Sequence, residues 1–206
     1  MNRSTLCGRS WGVGAAELLL VFLGAYAAFS LTNYQQHRQE ARRRDQILES
    51  LEQRTRETLA NCEEQGTKAE RDAAEFCRAL AAGEMPPVRP ITFSSDYNAN
   101  DAAILLQSGG LELLEVKTIL AMRNAESAIR GGLSRLAHIE KLSDEMIMPN
   151  LDQDISFFYD PVTKQLRKRF ALYPAALQIE ATFFRDMQRA DTELLQQLQV
   201  ERKRHW

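Results

Sequence analysis

The side chains here that could do chemistry are three histidines, three cysteines and one alternating acidic run. His37, His138 and His205 stand far apart, and none lies within four residues of another His or a Cys. A helical metal pair needs two ligands one turn apart, so these cannot form one locally. No HExxH, CxxC, GxSxG or phosphate-loop pattern occurs, and Gly109-Gly110 and Gly131-Gly132 lack the strand context of a nucleotide loop. Cys62 and Cys77 fall on one expected helix, about 22 Å apart, well beyond the roughly 7 Å that a disulfide tolerates between Cα atoms. Cys7 lies on the far side of an apolar segment. Three thiols are therefore expected; a Cys62 bridge between two parallel copies is the alternative. Asn150, Asp152, Asp154 and Ser156 alternate, with Asp160 beyond, as at the start of an EF-hand. Ile155 stands where that loop needs Gly, however, and the twelfth position carries no Glu. A solvated acidic loop is expected, with no metal and no cofactor. An enzyme would have to draw an acid–base pair from Asp152, Asp154 and Asp160 with no nucleophile setting nearby. The expectation is a protein that is not an enzyme.

Positioning is better marked than chemistry. From Leu18 to Gln36 there is no charged residue. Glue at the edges is aromatic and basic: Trp11 and Tyr34 bracket the run about 35 Å apart, and Arg38, Arg42, Arg43 and Arg44 follow it. This predicts one membrane-spanning helix over residues 14–35, after a short tail over 1–13. Glu17 at its edge can reach the headgroups. Gly24 and Ala28 form a small-xxx-small pair that would let two helices approach closely. Two other readings compete. Arg3 and Arg9, the apolar run and Ala25-Tyr26-Ala27 fit a cleaved signal peptide, which would make the product a secreted helical binding protein, although apolar residues continue past that site to Leu31. A buried helix of a soluble domain fits the apolar run but not its aromatic and arginine flanks.

Glu17, Gly24 and Asn33-Tyr34 together make a pattern that resembles an uncharacterised family of bacterial single-span membrane proteins. That family has a Gly-Glu-Ile opening, an internal Gly, an Asn-Asn-Trp exit and then a long charged helix. Here Ala16, Thr32 and Tyr34 replace the first Gly, the first Asn and the Trp. Leu105-Leu106-Gln107-Ser108-Gly109-Gly110-Leu111 is similar to the family's Leu-Lys-Ser-Ser-Gly-x-Leu stretch. The resemblance implies a membrane-anchored helical protein and supplies no catalytic residues.

Beyond the span, Ile47-Leu48, Leu51, Thr55, Leu59, Cys62, Ala69, Ala73, Phe76-Cys77 and Leu80 recur every three or four residues. That is one apolar stripe on a helix, continuous with the span and stopped by Gly83 and Pro86-Pro87. Met85 to Ser95 reads as extended loop; only Val88 to Phe93 could form a strand, and Pro90 opposes it. A short helix starts at Asp101 with Asn100 as N-cap. A second long stripe runs from Leu111 to Met146, with a bend expected at Gly131-Gly132. A loop holding Phe157, Phe158 and Tyr159 leads to a last helix with Pro174 in its first turn. Three stripes need one another, so residues 36–206 are expected to form an all-α, three- or four-helix bundle, coiled-coil-like in its packing.

The chain has 206 residues, 44% of them hydrophobic, and a formal net charge of −2. Global disorder, a collagenous chain and a disulfide scaffold are excluded by that composition. Nucleic acid is not an expected partner, because acidic residues are mixed through the helices. Lys164, Arg167, Lys168 and Arg169 are expected to bridge loop and bundle through ion pairs. The expected partners are the lipid bilayer and a protein partner or a second copy, with the bundle groove and Phe157, Phe158 and Tyr159 as partner-binding candidates, although loops more often fold such side chains inward as core. The expected role is sensing, scaffolding or partner binding at the inner (plasma) membrane. Orientation stays open: the Lys and Arg count favours a cytoplasmic bundle, whereas the acidic residues after the span and the common layout of exported domains favour an extracytoplasmic one.

Overall fold

A computed structural model describes residues 8–92 and 101–204. Asn100, His205 and Cys7 lie outside the described residues, as do residues 93–95 of the expected loop. The chain is all-α, with four α-helices and no strand among the described residues: α1 (Gly8–Ala81), α2 (Asp101–Gln107), α3 (Val116–Met146) and α4 (Tyr173–Arg204). It divides into two compact units, Met1–Gln46 and Ile47–Trp206.

The first unit is the N-terminal part of α1. No Pro interrupts α1 over its 74 residues, and the expected continuity of apolar run and charged helix holds. Every described side chain from Glu17 to Arg43 is exposed. By length and composition this helix can cross a membrane, and the share of its apolar window buried in protein is 0%.

The second unit is a bundle of the rest of α1 with α3 and α4, and its buried clusters set the register. Leu48 and Leu51 of α1 pack with Met122 of α3 and Leu198 of α4. Cys62 and Ala69 pack with Ile129, Leu136, Phe183 and Met187. Ala73 and Phe76 pack with Ile139, Tyr173 and Leu177. Residue numbers thus climb together on α1 and α3 and fall on α4, so α4 runs antiparallel to the other two. Leu105 of α2 adds to the first cluster, which makes α2 the short fourth helix of the expected bundle.

The helix ends follow from local chemistry. Gly83 adopts φ 76°, a conformation only glycine takes freely, and the Glu84 amide then donates to the Ala79 carbonyl at 3.0 Å. Gly109, at φ 67°, ends α2 in the same way. α3 begins at Val116 rather than at Leu111, because Leu111–Leu113 forms a separate 3-10 turn and Leu114 and Glu115 are extended. The Glu115 amide that opens α3 donates to the buried Glu201 carboxylate at 3.1 Å. The bend expected at Gly131-Gly132 does not interrupt α3, which runs through both. Gly132 is a packing site: a Cβ there would lie 1.9 Å from a Phe183 ring carbon.

Candidate functional site

The apolar run comes first. Leu18, Leu20, Val21, Phe22 and Phe29 are each at least 70% exposed, a contiguous apolar surface of the kind that marks a protein or membrane contact. Gly24 has nothing within 4 Å of where a Cβ would sit, and Ala28 shares its face one turn on. The Thr32 hydroxyl donates back to the Ala28 carbonyl at 2.9 Å, hiding a polar group within the helix. At the edge of the run the Arg38 guanidinium lies 5.4 Å from the Tyr34 ring centre, as an interfacial aromatic–arginine pair would. Arg42 is exposed, and Arg44 pairs with Asp45 at 3.3 Å. Glu17 is exposed on α1; of Trp11 the backbone alone is described, within α1.

In the aromatic loop two of the three candidate side chains take the core reading rather than the docking one. Phe158 is 4% exposed and Tyr159 is fully buried, so these two are core side chains and do not face a partner. The reason is that Phe158 stacks on Phe170 at 4.9 Å, while the Tyr159 hydroxyl donates to the Pro86 carbonyl at 2.5 Å. Burial pushes the Tyr159 phenol up to about 12. Phe157 is half-buried under two guanidiniums, Arg169 at 4.4 Å and Arg167 at 5.7 Å. The two arginines of the basic patch thus lie over rings, and Arg167 donates through Nε to the Tyr159 carbonyl at 2.8 Å. Among the described residues, the expected loop-to-bundle ion pairs are not formed by Arg167 or Arg169.

The acidic loop closes turns. The Ser156 amide donates to Asp154 at 2.9 Å, and the Val162 and Thr163 amides donate to Asp160 at 3.0 and 2.8 Å. These bonds to the ionised form hold both carboxyls below the usual range. Asp152 is exposed. Among the described residues, no group of three His, Cys, Asp or Glu side chains could hold a metal ion. His37 lies 3.7 Å from Glu40, His138 is exposed on α3, and Cys62 and Cys77 are free thiols.

Sequence reasoning expected a working groove on the bundle but named none of the residues of the one found, about 680 Å³ between the end of α1, the proline-rich loop and the start of α4. Three prolines leave this loop short of amide donors, and the rest of the bundle clamps what remains. The Arg89 amide donates to the Tyr173 hydroxyl at 3.1 Å, and the Ile91 amide to Ser143 Oγ at 2.9 Å. With the Tyr159–Pro86 bond, three side chains at least 52 positions away hold one loop. Phe76 meets Tyr173 edge-on at 5.0 Å beneath it. Glu180 on α4 is half-buried at the rim, and its carboxyl is pushed up by burial and then by the charge of Asp72, with Lys68 opposing. A second cleft, between α3 and α4 at Ser143 and Phe170, is only about 40 Å³ and apolar.

Buried charge was also missed. Asp191 is 4% exposed, its Oδ2 has no hydrogen-bond partner, and burial raises its carboxyl to about 6. Glu52 is buried with Arg202 at 2.8 Å and Arg56 on its two oxygens. A signal was present. Asp191 falls four after Met187, Glu201 three after Leu198 and Glu52 four after Leu48, all in step with apolar stripes.

No family model, curated protein or solved structure matches this chain.

Proposed function

We propose that this chain is a single-pass membrane-anchored helical bundle with a non-enzymatic role in partner binding, sensing or scaffolding. The carrying observation is the exposed, uncharged run Leu18 to Gln36 at the head of the helix that also enters the bundle. A run that is 0% buried by protein asks for another apolar environment, and a bilayer is the one its length fits. The Tyr34–Arg38 pair and the following arginines support the same boundary. The resemblance to bacterial single-span proteins with a charged helix after the span agrees with this layout and with an inner-membrane location. Gly24 and Ala28 offer a face for self-association.

The non-enzymatic part rests on the sites. The acidic-loop carboxylates Asp154 and Asp160 are committed to turns, and the groove at the end of α1 is a binding shape with no nucleophile setting among its lining residues. A membrane-anchored sensor of this build would pass a change in helix packing along α1.

The test is the intact mass of membrane-bound chain combined with surface labelling. Uncleaved mass supports the anchor, whereas a product starting after Ala27 and free of membranes supports the secreted alternative. Val162, 88% exposed, is the labelling position once changed to Cys in a chain whose native cysteines are serine. A membrane-impermeant maleimide reacting in intact spheroplasts places the bundle outside, and reaction only after lysis places it in the cytosol. An extracytoplasmic bundle is our expectation.

A further inference from the structure

The groove at the end of α1 has a chemistry that selects a ligand class. Its apolar lining includes Phe76, Leu177, Ile91 and the prolines of the loop. Its lining carries four carboxylates, Asp72, Glu75, Glu84 and Glu180, against two cations, Lys68 and Arg89, so the excess is 4 − 2 = 2 negative charges. Those carboxylates are largely unanswered. Asp72 has Arg71 at 3.8 Å, while Glu75, Glu84 and Glu180 make no side-chain hydrogen bond or ion pair among the described residues. Glu180 is half-withdrawn from water beside Asp72, and Lys68 offsets this only in part. A cation placed there offsets both the partial desolvation of Glu180 and its repulsion by Asp72. Phe76 and Tyr173, which meet edge-on at 5.0 Å, add aromatic lining against which an apolar body can rest. The volume, about 680 Å³, sits within the range of small-molecule sites.

We propose that this groove binds an organic cation with an apolar body, a primary amine or guanidinium carried on an aromatic or aliphatic group. The amine sits at Glu180 and Asp72, and the apolar body lies over Phe76 and Leu177. This inference rests on the partner-binding reading above and names the class of its ligand. An anion of the same shape is repelled, and a neutral one leaves the carboxylates uncompensated.

The experiment is isothermal titration of the full chain in detergent micelles with phenethylammonium, and with 3-phenylpropanoate as the anion of like shape. Saturable binding of the amine is expected, with none of the anion. Glu180→Gln should weaken amine binding about tenfold, or roughly 1.4 kcal/mol. Asp72→Asn, on an exposed position, should weaken it in the same direction, and the two variants also correct for amine taken up by micelles. Equal binding of the anion, amine binding indifferent to both variants, or no amine binding by chain that is folded by circular dichroism would overturn the proposal. A failure here leaves the anchor standing, since membrane retention is measured separately. A chain that washes off membranes leaves the titration result standing.

Discussion

The Phe183 ring occupies the space that a side chain at Gly132 would fill, with Cδ2 only 1.9 Å from the position of a Cβ. The small residue on α3 and the large one on α4 are therefore one packing unit, in the cluster that also holds Cys62 and Met187. Gly132→Ala is expected to destabilise by about 1–3 kcal/mol through overpacking, although alanine favours a helix. Gly131 has nothing within 4 Å and is exposed, so Gly131→Ala should stabilise by up to about 1 kcal/mol. Chemical denaturation of the two variants reads the opposite signs.

This pair also shows where sequence reading stops. The stripe on α1 was legible because Leu48, Leu51, Cys62, Ala69, Ala73 and Phe76 keep helical spacing with no proline among them, and each is buried. Gly131-Gly132 read as a bend because a helix glycine has a local cost, while its partner Phe183 lies 51 positions on. The inward fold of Phe158 and Tyr159 was legible as a tendency of aromatic loop residues, but its anchor was not, because Pro86 is 73 positions away from Tyr159. The residues of the groove were illegible for the same reason: Asp72, Arg89 and Glu180 each look like solvated charges until three distant segments meet.

Asp191 makes stability depend on pH. Its folded-state value of about 6 stands above the ordinary 3.8, so the folded chain binds this proton more tightly than the unfolded chain. The stability it contributes is fully present below about 3.8 and is lost as pH rises through about 6. Glu180, also raised, acts in the same direction. Asp154 and Asp160, both lowered, act oppositely, and their contribution is lost only at still lower pH. Between pH 7 and 4.5 the bundle should gain about 2 kcal/mol from Asp191. Thermal melts of the wild type and Asp191→Asn across that range should show the gain shrinking in the variant. Parallel profiles would show that Asp191 titrates normally.

The thiols should differ sharply. Cys62 is 1% exposed, and burial with the nearby Asp191 charge pushes its thiol to about 12. Cys77 is half-buried and accepts a contact from Gln178 at 3.9 Å. Because the thiolate is the reactive form, native Cys62 should react with a maleimide at least about a hundredfold more slowly than Cys77. Mass-resolved labelling of a Cys7→Ser chain checks this, with equal rates expected in denaturant.

The loop clamp gives a further prediction. Tyr159→Phe keeps the ring but removes the donor to the Pro86 carbonyl. It should cost about 1–3 kcal/mol, the usual loss for a buried group left unpaired. Differential scanning calorimetry at pH 7 reads it, and an unchanged melt would mean that solvent reaches that carbonyl.

The central claim is that Leu18 to Gln36 lies in a bilayer. Flotation of purified chain on liposomes after an alkaline carbonate wash tests it most directly, with Phe22→Arg/Leu23→Arg as the comparison. Each arginine near the middle of a span costs about 2.5–3.5 kcal/mol on the insertion scale. The wild type should float with lipid after the wash, and the double variant should stay largely in the soluble fraction. Wild-type chain released by carbonate, or a double variant that floats equally well, would contradict the account.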